Sequence, residues 1–373
     1  MNILVTGAQG FIGKNLRAAL AERGDVSVLT FDQEHTADDL AALLARADLV
    51  YHLAGVNRPP SVEEFYTGNV GLIAQMCRML LDAGRAIPIV FSSSIQAELD
   101  NPYGISKRQA EDVLSEYAMA GGAAIIYRLP NVFGKWCRPN YNSVVATFCH
   151  NIARDLPITL SDPDRQLTLV HVDDVVRHFI DDLDAGGAVG ARATWREVSP
   201  VYTVTLGRLA ELIYGFRALR ETLRLPGLHD DFVRKLYGTY VSYLPETAFD
   251  YALQQRCDDR GCLAEFVKSS AAGQIFVSRT RPGITRGNHY HHTKTEKFLV
   301  LEGEAVIRFR HILSDEVIEY RVRGEDFRVV DIPTGYTHSI QNVGQGELVT
   351  LFWASEIFDP ERPDTRFLPV RQA

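Results

Sequence analysis

The sequence has no long hydrophobic run. Its longest apolar stretch, residues 118–127, is much shorter than the roughly 18 residues that a membrane-spanning helix requires. The N-terminus also lacks the basic segment that precedes the apolar part of a secretory signal peptide. We therefore expect a cytoplasmic protein that has no membrane partner.

The sequence also lacks a basic run and has few cysteines. The formal net charge is −8 and the basic residues form no run, which argues against nucleic acid as the main partner. The five cysteines form neither an even set nor a Cys-x-x-Cys pair, so we expect reduced and mostly buried thiols. They are Cys77, Cys137, Cys149, Cys257 and Cys262.

The length favours two domains, because 373 residues are many for a single hydrophobic core. In the first half, short apolar runs alternate with segments of helical periodicity, which predicts an α/β doubly wound parallel sheet. Strands are expected at residues 3–5, 26–31, 49–53, 88–92 and 124–128. From residue 246 onward, short alternating runs between glycine turns predict an all-β domain. We therefore place the domains at residues 1–245 and 246–373.

A glycine-rich turn connects the first strand to the first helix. Gly7, Gly10 and Gly13 are spaced to allow a tight turn and a close approach of the backbone to a pyrophosphate. The pyrophosphate would then lie at the helix N-terminus, where free N–H groups favour an anion. We expect a dinucleotide to contact these glycines together with Phe11 and Ile12.

Tyr103 and Lys107 are four residues apart, so on a helix both side chains share one face. A nearby ammonium favours the phenolate and lowers the pKa of a tyrosine, which would make Tyr103 a usable acid. Ser94 could hydrogen-bond the same reacting oxygen. The alternative is a pair without function on a solvated helix face, and the nucleotide-binding pattern upstream favours the catalytic interpretation.

These motifs, with Leu53-Ala54-Gly55, Asn69, residues 128–134 and residues 171–174, resemble the extended short-chain dehydrogenase/reductase family in their order. The resemblance implies a Rossmann-like fold in which Ala54 contacts the cofactor. It also implies that Tyr103 is the general acid, that Lys107 holds the nicotinamide ribose and that Ser94 orients the substrate carbonyl. Only eight residues separate Ser94 from Tyr103, fewer than in most members of that family.

The end of the second strand should select the cofactor. Asp32 or Glu34 would accept the ribose hydroxyls of NAD, whereas NADP requires a cation for its extra phosphate, and His35 is the nearest candidate. Further along, Asn131, Lys135 and Arg138 are candidates for contacting the diphosphate of a nucleotide sugar. The alternative for these basic residues is an ordinary solvated surface.

The second domain contains a concentrated set of metal-ligand residues. His289 and His291 point to the same face of a strand, and Glu296 and His338 complete a set suited to a divalent metal ion, for which we expect zinc. The spacing resembles both motifs of the cupin family, which implies a jelly-roll barrel. Because cupins without metal exist, a polar barrel that binds no ion is the alternative.

The whole chain resembles the bifunctional epimerase/reductase family of bacterial capsule and O-antigen synthesis, through residues 100–107, 133–143, 287–294 and 358–365. The resemblance implies a UDP-linked 4-keto-6-deoxy-HexNAc as substrate. The cupin would epimerise its 3-position, and the first domain would reduce the 4-keto group with NADPH to UDP-2-acetamido-2,6-dideoxy-L-talose, on the way to N-acetyl-L-fucosamine. By analogy we expect a homodimer.

The expected chemistry is self-consistent, because a ketone acidifies the neighbouring C–H bond and a metal ion can stabilise the enolate oxygen. The metal could instead be structural, with Lys297 or Tyr336 acting as the base. Two other classes remain open: a nucleotide sensor with a degenerate reductase site, and a metal-dependent oxygenase with an attached NAD-binding module.

Overall fold

The structure, a computed structural model, describes residues 1–186 and 192–371. The chain forms two compact units. The first comprises Met1–Tyr214 with Lys235–Pro245, and the second comprises Gly215–Arg234 with the chain from Glu246 onward. The second unit thus takes one segment from the range that the sequence assigned to the first domain, and the boundary after residue 245 stays a prediction.

The first unit is built on a parallel sheet of six strands in the order β2-β1-β3-β4-β5-β8, with a small sheet β6-β7-β9 beside it. The strands are β1 (Asn2–Thr6), β2 (Ser27–Phe31), β3 (Leu49–His52), β4 (Pro88–Ser94), β5 (Ala123–Leu129), β6 (Asn131–Phe133), β7 (Gln166–His171), β8 (Ala193–Arg196) and β9 (Tyr202–Thr205). The five expected strands and the parallel arrangement are confirmed.

Helices cover both faces of the large sheet, which is why its central strands β1, β3, β4 and β5 are buried on both faces. On β1, Leu4 packs into the cluster formed with α2, α4 and α5, while Ile3 and Val5 pack into the cluster formed with α1 and α7. The helices of the chain are α1 (Phe11–Ala21), α2 (Ala37–Arg46), α3 (Glu63–Tyr66), α4 (Leu72–Asp82), α5 (Pro102–Met119), α6 (Val144–Ile152), α7 (Val172–Asp184), α8 (Leu206–Thr222) and α9 (Asp231–Val241).

The second unit contains two antiparallel sheets, ordered β10-β11-β12-β19-β14-β17 and β16-β15-β18-β13-β20. Its strands are β10 (Gln255–Asp258), β11 (Gly261–Ser269), β12 (Gly273–Thr280), β13 (Thr285–Tyr290), β14 (Glu296–Glu302), β15 (Glu304–His311), β16 (Val317–Arg323), β17 (Val329–Ile332), β18 (Tyr336–Asn342), β19 (Leu348–Ala354) and β20 (Arg366–Phe367). Phe298 and Phe352 of one sheet and Ile307 and Ile340 of the other share one core.

The expectation that all cysteines are reduced is wrong for one pair. Cys257 and Cys262 are directly opposite each other in the β10–β11 hairpin, with Cα atoms 4.1 Å apart, and form a disulfide. Directly opposed residues of antiparallel strands are this close because the hairpin brings them together, a geometry that a count of cysteines does not reveal. The remaining cysteines, Cys77, Cys137 and Cys149, are free thiols.

No helix within residues 1–186 or 192–371 combines the length and the apolar character that crossing a membrane takes.

Candidate active site and metal centre

The turn between β1 and α1 requires glycine at two positions. Gly7 has a φ of +67°, and a Cβ there would lie 2.7 Å from the backbone nitrogen of Ala54. A Cβ on Gly13 would lie 2.2 Å from the carbonyl oxygen of Gly7. Helix α1 begins at Phe11 directly after Gly10. The structure therefore brings together all the residues expected to hold the pyrophosphate, with Ala54 packed against the turn.

The residues expected to select the cofactor lie beside this turn. Asp32 Oδ1 accepts a hydrogen bond from the backbone N–H of Gln9 at 3.0 Å. The backbone N–H of Asp32 donates to Nδ1 of His35 at 3.1 Å, and the half-buried imidazole packs against Phe31. One oxygen of the acidic side chain is therefore already bonded to the glycine turn, and His35 is held at the same end of the sheet.

Tyr103 lies in the first turn of α5. Asn101 caps that helix by accepting the N–H of Gly104 at 2.8 Å, and Pro102 begins it. Gly104 packs against the turn that follows β4, because a Cβ there would lie 2.0 Å from the Gln96 carbonyl oxygen. This close approach places Tyr103 next to Ser94, whose hydroxyl hydrogen-bonds the phenol. The expected pairing of Ser94 with Tyr103 is present despite the short intervening segment.

Lys107 is buried beneath the tyrosine. Its Nζ donates to the Ser92 carbonyl oxygen at 2.9 Å and lies 4.7 Å from the centre of the Phe91 ring and 6.0 Å from that of Tyr103. Burial lowers the pKa of Lys107 to about 8, against a smaller raising effect of Glu111. The ammonium therefore lies beneath Tyr103, but its hydrogen bond is made to the backbone carbonyl of Ser92.

The expectation that Lys107 lowers the pKa of Tyr103 is wrong in this structure. Burial raises the pKa of the Tyr103 phenol, and the hydrogen bond with Ser94 offsets only part of that rise. The reason is that the cost of removing the phenolate from water dominates, while the Lys107 ammonium lies 6.0 Å from the ring centre and donates its hydrogen bond to the Ser92 carbonyl oxygen. Tyr103 therefore holds its proton firmly.

The three residues expected to contact a diphosphate are engaged locally. Asn131 donates to the Thr168 carbonyl oxygen at 3.3 Å, and Lys135 Nζ lies 2.6 Å from Asp173 Oδ1. The guanidinium of Arg138 lies 5.1 Å from the ring centre of Tyr141. Within the described ranges, none of the three is hydrogen-bonded to Ser94, Tyr103 or Lys107, so their role as substrate ligands stays a prediction.

In the second unit, the four expected metal ligands converge. His289 lies on β13 and is paired directly with His338 on β18, His291 follows β13, and Glu296 begins β14. One ligand atom from each residue lies within 4.8 Å of the others. All but His289 are buried. Strand pairing and the same-face alternation of residues 289 and 291 account for this convergence.

Two of the ring nitrogens have no hydrogen-bond partner among the described residues. Nε2 of His291 and Nε2 of His338 are buried, each 3.4 Å from Glu296 Oε2, and neither makes a well-formed hydrogen bond. Burial alone would raise the pKa of Glu296, but the two imidazoles hold it below its usual range. Unpartnered buried nitrogens are rare in proteins, and imidazole with carboxylate is a donor set that zinc accepts. The residues present therefore fit a divalent metal ion.

A cavity of about 190 Å³ adjoins this centre, and Glu296 lies in its wall. Lys294 also lines it, is buried, and has its Nζ 3.6 Å from Glu296 Oε1. Sequence reasoning missed Lys294, although its position two residues before Glu296 was an available signal. The cavity is also lined by Gln274, Phe276 and Phe358.

The two bases suggested by the sequence differ in their placement. Lys297 lies next to Glu296 on β14 and therefore points to the opposite face, where its exposed Nζ pairs with Asp331. It is wrongly placed to act in the cavity. Tyr336 is half-buried, shares a strand face with His338, and packs on His311 with ring centres 5.0 Å apart.

Two family models match the chain. Residues 3–188 match the NAD dependent epimerase/dehydratase family, and residues 256–366 match the polysaccharide biosynthesis C-terminal domain. The two matches fall on the parallel-sheet part and the all-β part of the chain.

Full-length relatives are also found. A protein of Pseudomonas aeruginosa, UDP-2-acetamido-2,6-beta-L-arabino-hexul-4-ose reductase, is 47% identical over 366 residues, which are 98% of either chain. The crystal structure of the capsular polysaccharide assembling protein CapF from Staphylococcus aureus is 48% identical, covers 99% of this chain and 100% of its own, and superposes with a TM-score of 0.92. A CapF structure with the inhibitor 3-isopropenyl-tropolone is 42% identical with the same coverage and a TM-score of 0.87.

Proposed function

Because the chain belongs to the family of UDP-2-acetamido-2,6-beta-L-arabino-hexul-4-ose reductases, we propose that it acts on a UDP-linked 2-acetamido-2,6-dideoxy-4-keto-hexose in two steps. The chain is an oxidoreductase. The first step inverts the 3-position in the all-β unit, which we assign to the cupin family. The second step reduces the 4-keto group in the parallel-sheet unit and gives UDP-2-acetamido-2,6-dideoxy-L-talose, a precursor of N-acetyl-L-fucosamine.

In the reduction, Tyr103 donates its proton to the 4-keto oxygen. Gly7, Gly10 and Gly13 would hold NADPH, which would supply the hydride for the carbonyl carbon. Ser94 hydrogen-bonds the same oxygen and orients it, and it already bonds the phenol that must deliver the proton. The buried ammonium of Lys107 stabilises the negative charge left on Tyr103, a contribution absent until the proton moves.

In the epimerisation, a proton leaves the carbon next to the ketone and one returns on the opposite face. His289, His291, Glu296 and His338 would hold a divalent ion, which would supply an electrophile for the ketone oxygen. Lys294 adds a positive charge to the wall of the adjoining cavity. Tyr336 is the remaining candidate for the proton-transferring group, because it is on the strand face of His338. Reduction then removes the ketone and fixes the new stereocentre.

One observation carries this proposal: a proton donor, its orienting hydroxyl and a buried cation converge in one unit, while a complete metal-ligand set with an adjoining cavity forms in the other. The oxygenase alternative finds no support in the relatives, and the intact Ser94, Tyr103 and Lys107 cluster argues against a degenerate sensor.

The decisive experiment incubates the protein with the UDP-linked 4-keto sugar and NADPH in deuterated water. We expect an L-talo product that carries deuterium at the 3-position and one NADPH consumed per product, read by NMR and by absorbance. A product reduced at the 4-position without deuterium or inversion at the 3-position would exclude the epimerase step. No NADPH consumption with this sugar would exclude the proposed substrate.

A further inference from the structure

The C-terminal segment lies along the strands that carry the metal ligands. In β20, Phe367 pairs with His289 and Arg366 pairs with Tyr290. Leu368 continues the pairing, because its N–H donates to the Asn288 carbonyl oxygen at 2.9 Å and its own carbonyl accepts from the Thr337 hydroxyl. The segment is therefore attached both to β13 and to the residue before His338.

Asp364 begins this attachment and binds the loop between two ligands. Its carboxylate accepts the backbone N–H groups of His292 at 3.0 Å, Thr293 at 2.7 Å and Lys294 at 2.9 Å. It also accepts the hydroxyl of Thr293 at 3.0 Å. Residues 292–294 belong to the loop, residues 292–295, that connects His291 to Glu296. Consecutive N–H groups directed at one carboxylate form a strong, charge-assisted set that fixes such a loop.

The backbone of the same residue contacts a ligand directly. The carbonyl oxygen of Asp364 accepts a hydrogen bond from Nδ1 of His291. A ring whose Nδ1 carries the proton presents its Nε2 lone pair, and Nε2 is the buried, unpartnered atom that faces Glu296. The position of that carbonyl depends on the side chain of Asp364, which holds the residue against the loop.

We propose that Asp364 is a positioning residue of the metal centre. Its carboxylate sets the loop that spaces His291 from Glu296, and its carbonyl selects the tautomer and orientation of the His291 ring. This gives a role to the segment of residues 358–365, which the two-step reaction leaves without one. The inference depends on the metal centre and not on the sugar chemistry.

The test compares Asp364→Ala, Asp364→Asn and Asp359→Ala. Asp359 is a matched control, because it belongs to the same segment but, among the described residues, its carboxylate bonds only within its own turn, to Glu361 and Arg362. Zinc affinity is measured by competition with a chromogenic chelator, and the visible absorption spectrum is recorded after substitution with Co²⁺. Neither measurement uses substrate, so a failure here is separate from a failure of the proposed reaction.

We expect Asp364→Ala to weaken zinc binding by about 10- to 100-fold, the usual range for a lost outer partner of a metal ligand, and to change the Co²⁺ spectrum. Asp364→Asn keeps an acceptor oxygen and should recover part of the affinity, whereas Asp359→Ala should match the unmodified protein. Wild-type affinity and spectrum in Asp364→Ala would overturn the proposal. If Asp364→Ala fails to fold, the test uses Asp364→Asn. A zinc affinity in Asp364→Asn equal to that of the unmodified protein would then overturn the proposal. Equal losses of zinc affinity in Asp364→Asn and Asp359→Ala would also overturn it.

Discussion

The two candidate sites satisfy their buried polar groups in opposite ways. In the parallel-sheet unit, Lys107 donates to a backbone carbonyl and Ser94 bonds Tyr103, so each of these side chains has a partner within the protein. In the all-β unit, two imidazole nitrogens are buried without a hydrogen-bond partner among the described residues. The first site is therefore suited to reactants that arrive and leave, whereas the second has buried ring nitrogens that a bound ion would satisfy.

The two buried lysines show the same contrast. Lys107 has a neutral partner, the Ser92 carbonyl, and burial lowers its pKa to about 8. Lys294 has a carboxylate partner in Glu296, which is itself a candidate metal ligand. The charge of Lys107 is therefore expected to change near pH 8. The charge of Lys294, by contrast, is paired directly with the charge of Glu296.

Tyr103→Phe should give the largest effect and would show whether the sites act separately. Ketone reduction should fall by about 10²- to 10⁴-fold, the usual contribution of a general acid, while NADPH binding stays nearly unchanged. Deuterium exchange at the 3-position of the sugar should continue, because it needs no hydride.

NADPH absorbance and mass spectrometry of the sugar measure both steps in one sample. The exposed Tyr214 provides the control, and Tyr214→Phe should leave both rates unchanged. If Tyr103→Phe also stops the exchange, both steps share one site in the parallel-sheet unit. If it keeps more than a tenth of the reduction, another group donates the proton.

His338→Ala should produce the converse pattern. Loss of a fully buried ligand should remove the metal and lower deuterium exchange by at least the roughly 10- to 100-fold known for weaker, outer-shell losses. NADPH oxidation with the unepimerised ketone should persist. His292→Ala is the matched control, since this neighbouring imidazole is exposed and outside the ligand set. Normal exchange in His338→Ala after the metal is shown to be gone would make the metal structural.

Much of both sites could be predicted from the sequence, because their features are local. The glycine turn follows from residues 7–13, and the metal set follows from alternation along one strand with a carboxylate a few residues later. His338 is predicted to belong to the same metal-ligand set because it lies in the second cupin-like motif. In each case the residue type and the spacing along the chain are enough to predict the kind of ligand.

The rest depends on contacts that spacing does not encode. The pKa of Tyr103 is raised mainly by burial of its phenol, and the Lys107 ammonium is directed to the Ser92 carbonyl on a different element. Asp364 acts on His291 from 73 positions away and partly through its backbone, which any residue type has. The disulfide depends on the register of one hairpin.

Gly13→Ala should have an intermediate effect that is confined to the parallel-sheet unit. A methyl group there would overlap the Gly7 carbonyl oxygen, so the turn must shift. Overpacking of this kind costs about 1–3 kcal/mol, and we expect NADPH affinity to weaken by roughly 10- to 100-fold. Gly24→Ala is the control, because nothing lies within 4 Å of a Cβ at that position. Fluorescence titration with NADPH distinguishes the two, and equal affinities would show that the turn does not bind the cofactor.

Raising the pH should weaken reduction alone. Lys107 loses its proton near pH 8, so kcat/KM for reduction should fall by about tenfold per pH unit above that value. Unfolding would not explain the loss. Between about pH 8 and 10.5 the unfolded chain binds more protons at this lysine than the folded chain, so this group raises the free energy of unfolding as pH rises. An identical decline in deuterium exchange would instead indicate a group common to both steps.

The choice between NADPH and NADH should show the smallest effect. We expect a higher kcat/KM for NADPH, chiefly because the family that the chain resembles uses it, with His35 as the nearest partner for the extra phosphate. Asp32 opposes this preference, although one of its oxygens is already bonded to Gln9.

Asp32→Asn keeps an acceptor for that bond and removes a charge that is worth about 1 kcal/mol at roughly 4 Å in water. The NADPH to NADH ratio should therefore rise by about fivefold in initial-rate measurements. The exposed Glu34 serves as the control, and Glu34→Gln should change the ratio less. A kcat/KM for NADH equal to or above that for NADPH in the unmodified protein would mean that Asp32, rather than His35, determines the cofactor.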